Sequence, residues 1–205
     1  MGYRVKEIFA TLQGEVAQAG RAAVFLRFTG CNLWSGLARD RAAATCRFCD
    51  TDFVGGRAFA EADDVAAAVA AAWPGEGGAP LVVATGGEPA LQLDEALVDA
   101  LRRRDFAVAV ETNGTRDLPA GLDWICVSPK ADTTLAVTAG DELKLVYPQP
   151  GALPEAYRGF AFRHFFLQPM DGPDLAANTR AAVGYCLRHP DWRLSVQTHK
   201  LIGIP

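Results

Sequence analysis

Three of the five cysteines fall in one short stretch, Cys31, Cys46 and Cys49 of GCNLWSGLARDRAAATCRFCDTDF, residues 30–53. Fourteen residues separate the first pair and two separate the second. Three thiols cannot all pair into disulfides, and thiolates are soft ligands for zinc or iron–sulfur clusters. A structural zinc ion needs a fourth ligand, and the histidines available, His164, His189 and His199, lie far downstream. A 4Fe–4S cluster on three thiolates leaves one iron open to a small molecule, which implies chemistry rather than electron storage. Three unrelated core cysteines are the remaining alternative. Cys126, in the apolar run WICVS, and Cys186, in a helical stretch, read as core thiols.

The other polar motifs share a position. TGC follows AVFLRF, TGGEP follows LVVA, ETNG follows AVAV, SPK follows WICV, QPM follows HFFL and QTHK follows RLSV. Each apolar run reads as a strand, and parallel α/β folds bind ligands at the carboxyl ends of their strands. Six polar tails on one rim predict one active site. In TGGEP, Gly86 and Gly87 let backbone approach a ligand closely. Glu88 could accept from an ammonium or simply favour a helix N-terminus. Glu111, Asn113, Ser128 and Gln168 sit at later strand ends, where turn capping is the alternative role. Arg27 interrupts an apolar strand near the rim and could grip a carboxylate in a bidentate fork.

The elements that must position these residues are strands at 3–9, 22–28, LVVAT, AVAVETNG, WICVSPK, ELKLVYP, RHFFLQPM and RLSVQTH. Helices are predicted over 61–72, 91–104 and 174–188. Strands alternating with helices, several of them continuously apolar, predict a mostly parallel sheet covered on both faces. The stretches between Asn113 and Asp123 and between Lys130 and Glu142 leave no room for helices. A complete eight-fold barrel takes about 250 residues, and this chain has 205. The expectation is a single-domain, partial TIM-like α/β barrel over 1–205, with some crossovers lacking helices. The net charge of −4 and the absence of a basic stripe argue against nucleic acid. The longest apolar run, Val65 to Trp73, is too short to span a bilayer, and no signal-peptide core opens the chain. Clustered free cysteines suit a reducing cytoplasm.

The cysteine loop after one strand and TGGEP after a later one resemble the radical S-adenosylmethionine (SAM) enzymes, with Phe48 before the last cysteine as that superfamily prefers. The series EIFATLQGE, FLRFTGCNL, CDT, TGGEP, ETNGT, SPK and QTHK spans nearly the whole chain and resembles the 7-carboxy-7-deazaguanine synthases of the 7-deazapurine (queuosine) pathway. The departure is the second cysteine, displaced to Cys46 by an expanded loop.

The resemblance implies a radical SAM lyase acting on 6-carboxy-5,6,7,8-tetrahydropterin, with loss of ammonia. A 5′-deoxyadenosyl radical would abstract hydrogen and be regenerated. Cys31, Cys46 and Cys49 would hold a 4Fe–4S cluster whose fourth iron takes SAM. Gly86, Gly87, Glu88, Glu111, Asn113, Ser128 and Gln168 would contact SAM, with Phe48 against its adenine. Gln13, Glu15, Arg27, Thr85, Lys130, His199 and Pro205 would face the pterin. Mg²⁺ would take Thr51 directly, with Asp50 behind it. A flavodoxin- or ferredoxin-like electron donor and a homodimer are further implications. Two alternatives stand beside this reading: a glycyl-radical activating enzyme, which works on a protein, and a non-enzymatic zinc module.

Overall fold

A computed structural model describes residues 2–205. One nine-stranded sheet runs through it, built from β1 (Tyr3–Leu12), β2 (Ala22–Phe28), β3 (Arg57–Phe59), β4 (Leu81–Gly86), β5 (Ala107–Thr112), β6 (Trp124–Val127), β7 (Ala139–Tyr147), β8 (Ala161–Pro169) and β9 (Trp192–Leu194). The spatial order is β3-β1-β2-β4-β5-β6-β7-β8-β9. β1 runs antiparallel to β2 and β3, and every pairing from β2 to β9 is parallel. The sheet is not closed, as expected of a partial barrel.

Three helices, α1 (Ala62–Ala72), α2 (Glu95–Arg102) and α3 (Leu175–Arg188), cover one face of the sheet; a short α4 (Thr198–Ile202) follows β9. Successive strand residues point to opposite faces. On the helix-covered face Leu26, Val82, Ala84, Val108 and Val110 pack with Val65 and Val69 of α1 and with Leu97 and Leu101 of α2. A second core joins Leu143, Leu145 and Leu167 to Ala182 and Tyr185 of α3. Between β5 and β6, and between β6 and β7, the chain crosses without a helix, as the short spacings require. The residues alternating with these core positions face the other way. Arg27 pairs with Thr85, Glu111 and Lys144 lie further along, and Gln168 pairs with Val146. The period-two alternation that buries the leucines therefore delivers the polar side chains to the concave side.

Some element boundaries differ from those read off the sequence. The helix expected over 91–104 begins at Glu95, because the Asp94 carboxylate caps Leu97 N at 3.0 Å and stops the helix from extending backwards. A separate 3₁₀ turn occupies Pro89–Leu91. The final strand is only Trp192–Leu194, and the QTHK segment turns into α4. The edge strand β3 has no strong sequence pattern and was not expected. No helix among the described residues is long and apolar enough to cross a membrane.

Candidate active site

A cleft of about 510 Å³ opens at the carboxyl ends of the parallel strands. All the candidate residues border it except Glu88. The three cysteines come to the same wall. The neighbouring Cys46 brings the Cys49 thiol down to about 6, and Cys49 in turn drives Cys46 well up. Burial raises Cys31, whose sulfur accepts from Leu33 N at 3.4 Å. All five cysteines are free. Among the described residues no group of three or more His, Cys, Asp or Glu is tight enough to grip a single metal ion. A four-iron cluster is wider than one ion and needs no such tight set. Three free thiols on one wall, one of them ionising readily, fit it by donor chemistry.

The expanded loop is built rather than slack. Trp34, Ala44 and Phe53 form a small core of their own, with Cys31 and Cys49 packed against it. Trp34 meets Phe53 edge-on at 5.6 Å. The Arg41 guanidinium stacks over Trp34 at 3.9 Å and donates to the carbonyls of Arg47 and Cys49 at 2.9 and 3.0 Å. Nothing in the sequence marked Arg41 or Trp34 as special.

The double glycine abuts the start of this loop. A side chain at Gly87 would put Cβ 1.9 Å from the Gly30 carbonyl oxygen, and Gly86 has φ +122° beside the Phe28 backbone. Glu88 N donates to Gly30 O at 2.8 Å. The Glu88 side chain turns away from the cleft into the protein. Its carboxylate accepts from Thr112 Oγ1 (2.6 Å), Asn113 N (2.7 Å) and Ala90 N (3.0 Å). It therefore ties the end of β4 to the end of β5, where a ligand contact was expected. Burial nonetheless holds its carboxyl above the usual range. Asn113 reaches Asn32 at 3.0 Å, linking β5 to the cysteine loop. Lys130 Nζ donates to Ser128 O and Oγ (2.5 and 2.8 Å) and lies 6.0 Å from the Phe48 ring. Burial pulls its ammonium below the usual range.

A second network lies on the concave sheet surface. Glu15 and Glu111 both meet Lys144, a lysine that sequence reasoning passed over. Burial works against a charged Glu15, but Lys144 outweighs it and holds the carboxyl below the usual range. Gln197 Nε2 also donates to Glu15 at 3.0 Å. Gln168 accepts from Ser195 Oγ at 3.0 Å. Arg27 pairs with Glu7 at 2.7 Å. Gly14 leaves room for the His199 ring, whose Nδ1 would be 2.1 Å from a Cβ there. Thr11 Oγ1 donates to Pro205 O at 2.9 Å, bringing the C-terminal residue to the rim. Thr51 borders the cleft, whereas Asp50 is drawn to Lys200 at 2.7 Å. The missed Lys144 did leave a signal: a charge set between two leucines in the second half of its strand.

No protein-family model matches the chain. It is 63% identical over 210 residues to 7-carboxy-7-deazaguanine synthase of Caulobacter vibrioides, all of both chains being covered. It is 62% identical to the enzyme of that name from Bordetella pertussis, again over the full length of both. Among solved structures it is similar to the crystal structure of QueE from Escherichia coli, with TM-score 0.73 and 27% identity over 97% of this chain and 95% of that one.

Proposed function

Because the chain belongs to the 7-carboxy-7-deazaguanine synthase family, we propose that its cleft converts 6-carboxy-5,6,7,8-tetrahydropterin to 7-carboxy-7-deazaguanine with loss of ammonia. The observation that carries this reading is the meeting of two unlike residue sets in one cleft. Three free cysteines abut a double-glycine turn, and buried carboxylates stand beside cations on the neighbouring sheet surface.

Cys31, Cys46 and Cys49 would hold a 4Fe–4S cluster. Together with S-adenosylmethionine, the bound cluster supplies a 5′-deoxyadenosyl radical able to take a hydrogen atom from the pterin. The chain's own residues do the placing. Gly86 and Gly87 open the backbone to the methionine moiety, and Phe48 packs on the adenine. Asn113, Ser128 and Gln168 offer polar groups to the ribose and carboxylate. Glu111, bonded to Lys144 and Gln13, contributes from within its network. Glu88 supports this wall from behind by fixing the Thr112–Asn113 backbone.

On the substrate side, Glu15 stays ionised and accepts from the paired N–H donors of the pterin's guanidine-like edge. Arg27 and Lys130 carry positive charge for the carboxylate and carbonyl, and His199 offers them a ring nitrogen. Gln13, Thr85 and Pro205 complete the wall. Magnesium prefers oxygen and keeps several waters. Thr51 would offer it a hydroxyl, and Asp50, held by Lys200, would meet it through water. The reading also expects an external electron donor such as flavodoxin or ferredoxin, a homodimer and a cytoplasmic site of action.

The test is anaerobic reconstitution with iron and sulfide, then incubation with S-adenosylmethionine, reductant, Mg²⁺ and the carboxytetrahydropterin, followed by mass spectrometry. A product lighter by one ammonia, with little methionine accumulating, is the expected result. A brown protein that only cleaves S-adenosylmethionine would overturn the substrate and favour an activating enzyme. A colourless zinc protein would overturn the radical chemistry altogether.

A further inference from the structure

Lys144 sits in the middle of β7, nine-tenths buried, with an apolar leucine on either side. Its ammonium lies between two carboxylates from different parts of the chain: Glu15, just beyond β1, and Glu111 near the end of β5. The contacts close into a ring. Lys144 Nζ donates to Glu15 Oε2 and, at 2.9 Å, to Glu111 Oε2. Glu111 Oε1 accepts from Gln13 Nε2 at 2.8 Å. Gln13 Oε1 then accepts from Glu15 N at 3.1 Å, returning to the first residue. Glu15 is aimed from three directions: through its backbone by Gln13, and through its carboxylate by Lys144 on Oε2 and by Gln197 Nε2 on Oε1 at 3.0 Å.

The backbone beneath it is strained. Val16 has φ +50°, a region costly for a β-branched side chain. It persists because Ser195 Oγ accepts Val16 N at 3.0 Å and Glu142 Oε2 accepts Ala17 N at 3.1 Å. Val16 also packs on Cys126 and Phe166 of β6 and β8. So much constraint on one loop is unnecessary if Glu15 only needs to be charged. It makes sense if the direction of its carboxylate matters.

We propose that Lys144 is a positioning residue for substrate selection: it fixes the plane of the Glu15 carboxylate so that the site prefers a heterocycle edge with two parallel N–H donors over one in which a carbonyl replaces a donor. This rests on the proposed substrate class and deepens it. A fixed carboxylate facing a carbonyl finds an acceptor against an acceptor, with no rotation to relieve it. Without Lys144 only Gln197 anchors the carboxylate, at Oε1; it can then pivot about that one contact and discriminates less, because it can offer a single oxygen to the one donor left.

Lys144→Met alone would bury Glu15 and Glu111 as an uncompensated pair and could fail to fold. The informative variant is therefore Lys144→Met combined with Glu111→Gln, compared with Glu111→Gln alone, in which Lys144 still meets Glu15. The reconstituted proteins, with S-adenosylmethionine but without reductant, are titrated with 6-carboxypterin and with 6-carboxylumazine, which carries an oxygen in place of the 2-amino group. Iron per chain and the melting temperature are measured on the same samples. The double variant is expected to keep its iron, to bind 6-carboxypterin on the order of tenfold more weakly than Glu111→Gln, and to lose most of its preference over the lumazine. An unchanged preference would overturn the inference, and so would iron and pterin binding failing together, since that marks a merely structural lysine. If the unaltered protein binds neither compound, the proposed substrate class falls first; if it prefers the pterin and the double variant does too, only the role of Lys144 falls.

Discussion

Single atoms decide whether the cleft walls can meet. At Gly87 the missing side chain is a requirement, because a Cβ would stand 1.9 Å from the Gly30 carbonyl oxygen and 3.1 Å from Cys31 N. Both neighbours are backbone and cannot swing aside. Gly87→Ala should push the TGGEP turn away from the start of the cysteine loop and break the Glu88 N to Gly30 O hydrogen bond. Overpacking of this kind costs about 1–3 kcal/mol, and at this chain length each kcal/mol lowers the melting temperature by about 2–4 °C. Thermal melting and iron per chain after reconstitution test this, and a variant matching the parent in both would show that the contact can relax. Glu88 makes a related point. Its three donors are all protein groups, so its carboxylate holds two strand ends together.

Two short segments, the expanded cysteine loop and α4, contribute residues to the cleft wall. The loop has a core separate from the main ones, so damage to it should stay local. Arg41→Ala removes the stacking on Trp34 and both donors to the Arg47 and Cys49 carbonyls. The global melting temperature should hardly move, while bound iron falls and its loss to a chelator quickens; equal loss of iron in parent and variant would count against the lock. α4 is pinned by Lys200, which bridges Asp50 at 2.7 Å and Asp171 at 2.6 Å. Burial opposes the charge on Asp50, but Lys200 outweighs it, and the same lysine lowers Asp171. Burial would lower the Lys200 ammonium, and its two partners reverse that. Carboxyls depressed in the folded state lend stability above their unfolded pKa, about 3.9, and lose it as pH falls through the lower folded value. A raised ammonium lends stability below about 10.4 and loses it as pH rises past the folded value. The clamp should hold across the neutral range and open only toward either extreme, whereas Lys200→Ala should open it at neutral pH. Hydrogen exchange over 198–205 reads this directly, and equal protection in the variant would dismiss the clamp. The strands were legible because their apolar runs and polar tails coincide with real strand ends, and the gathering of Cys31, Cys46 and Cys49 on one wall because all three sit in one short loop. The lock and the clamp were not legible. Arg41, Lys200 and Asp171 look like ordinary surface charges until the fold brings together partners up to 150 positions apart, and the position of Lys144 between two leucines gives no hint that Glu15 and Glu111 meet it.

The molecule has two principal cores on one sheet. One gathers α1 and α2 against β1, β2, β4 and β5; the other gathers α3 against β7 and β8. Between them lies β6, four residues long and flanked by crossovers without helices, and Ile125 on that strand touches both cores. The cleft lies across this seam. Its cysteine and glycine walls belong to the first half, Lys144 and Gln168 to the second, and Glu15 with Glu111 spans the junction through Lys144. A ligand filling the cleft touches both halves at once and should couple them, because anything that binds only the folded arrangement stabilises it by mass action. At a hundredfold excess over its dissociation constant that amounts to about 2.7 kcal/mol, or a rise in melting temperature of about 5–11 °C for a chain of this size. Anaerobic melting of the reconstituted protein, with and without S-adenosylmethionine and 6-carboxypterin, measures the rise. Hydrogen exchange then locates it: new protection should appear in β4 and β5 and also in β7 and β8, although the two sets pack in different cores. Protection confined to one set would mean that the ligand rests on one wall, and that the thin seam at β6 is a boundary the cleft does not bridge.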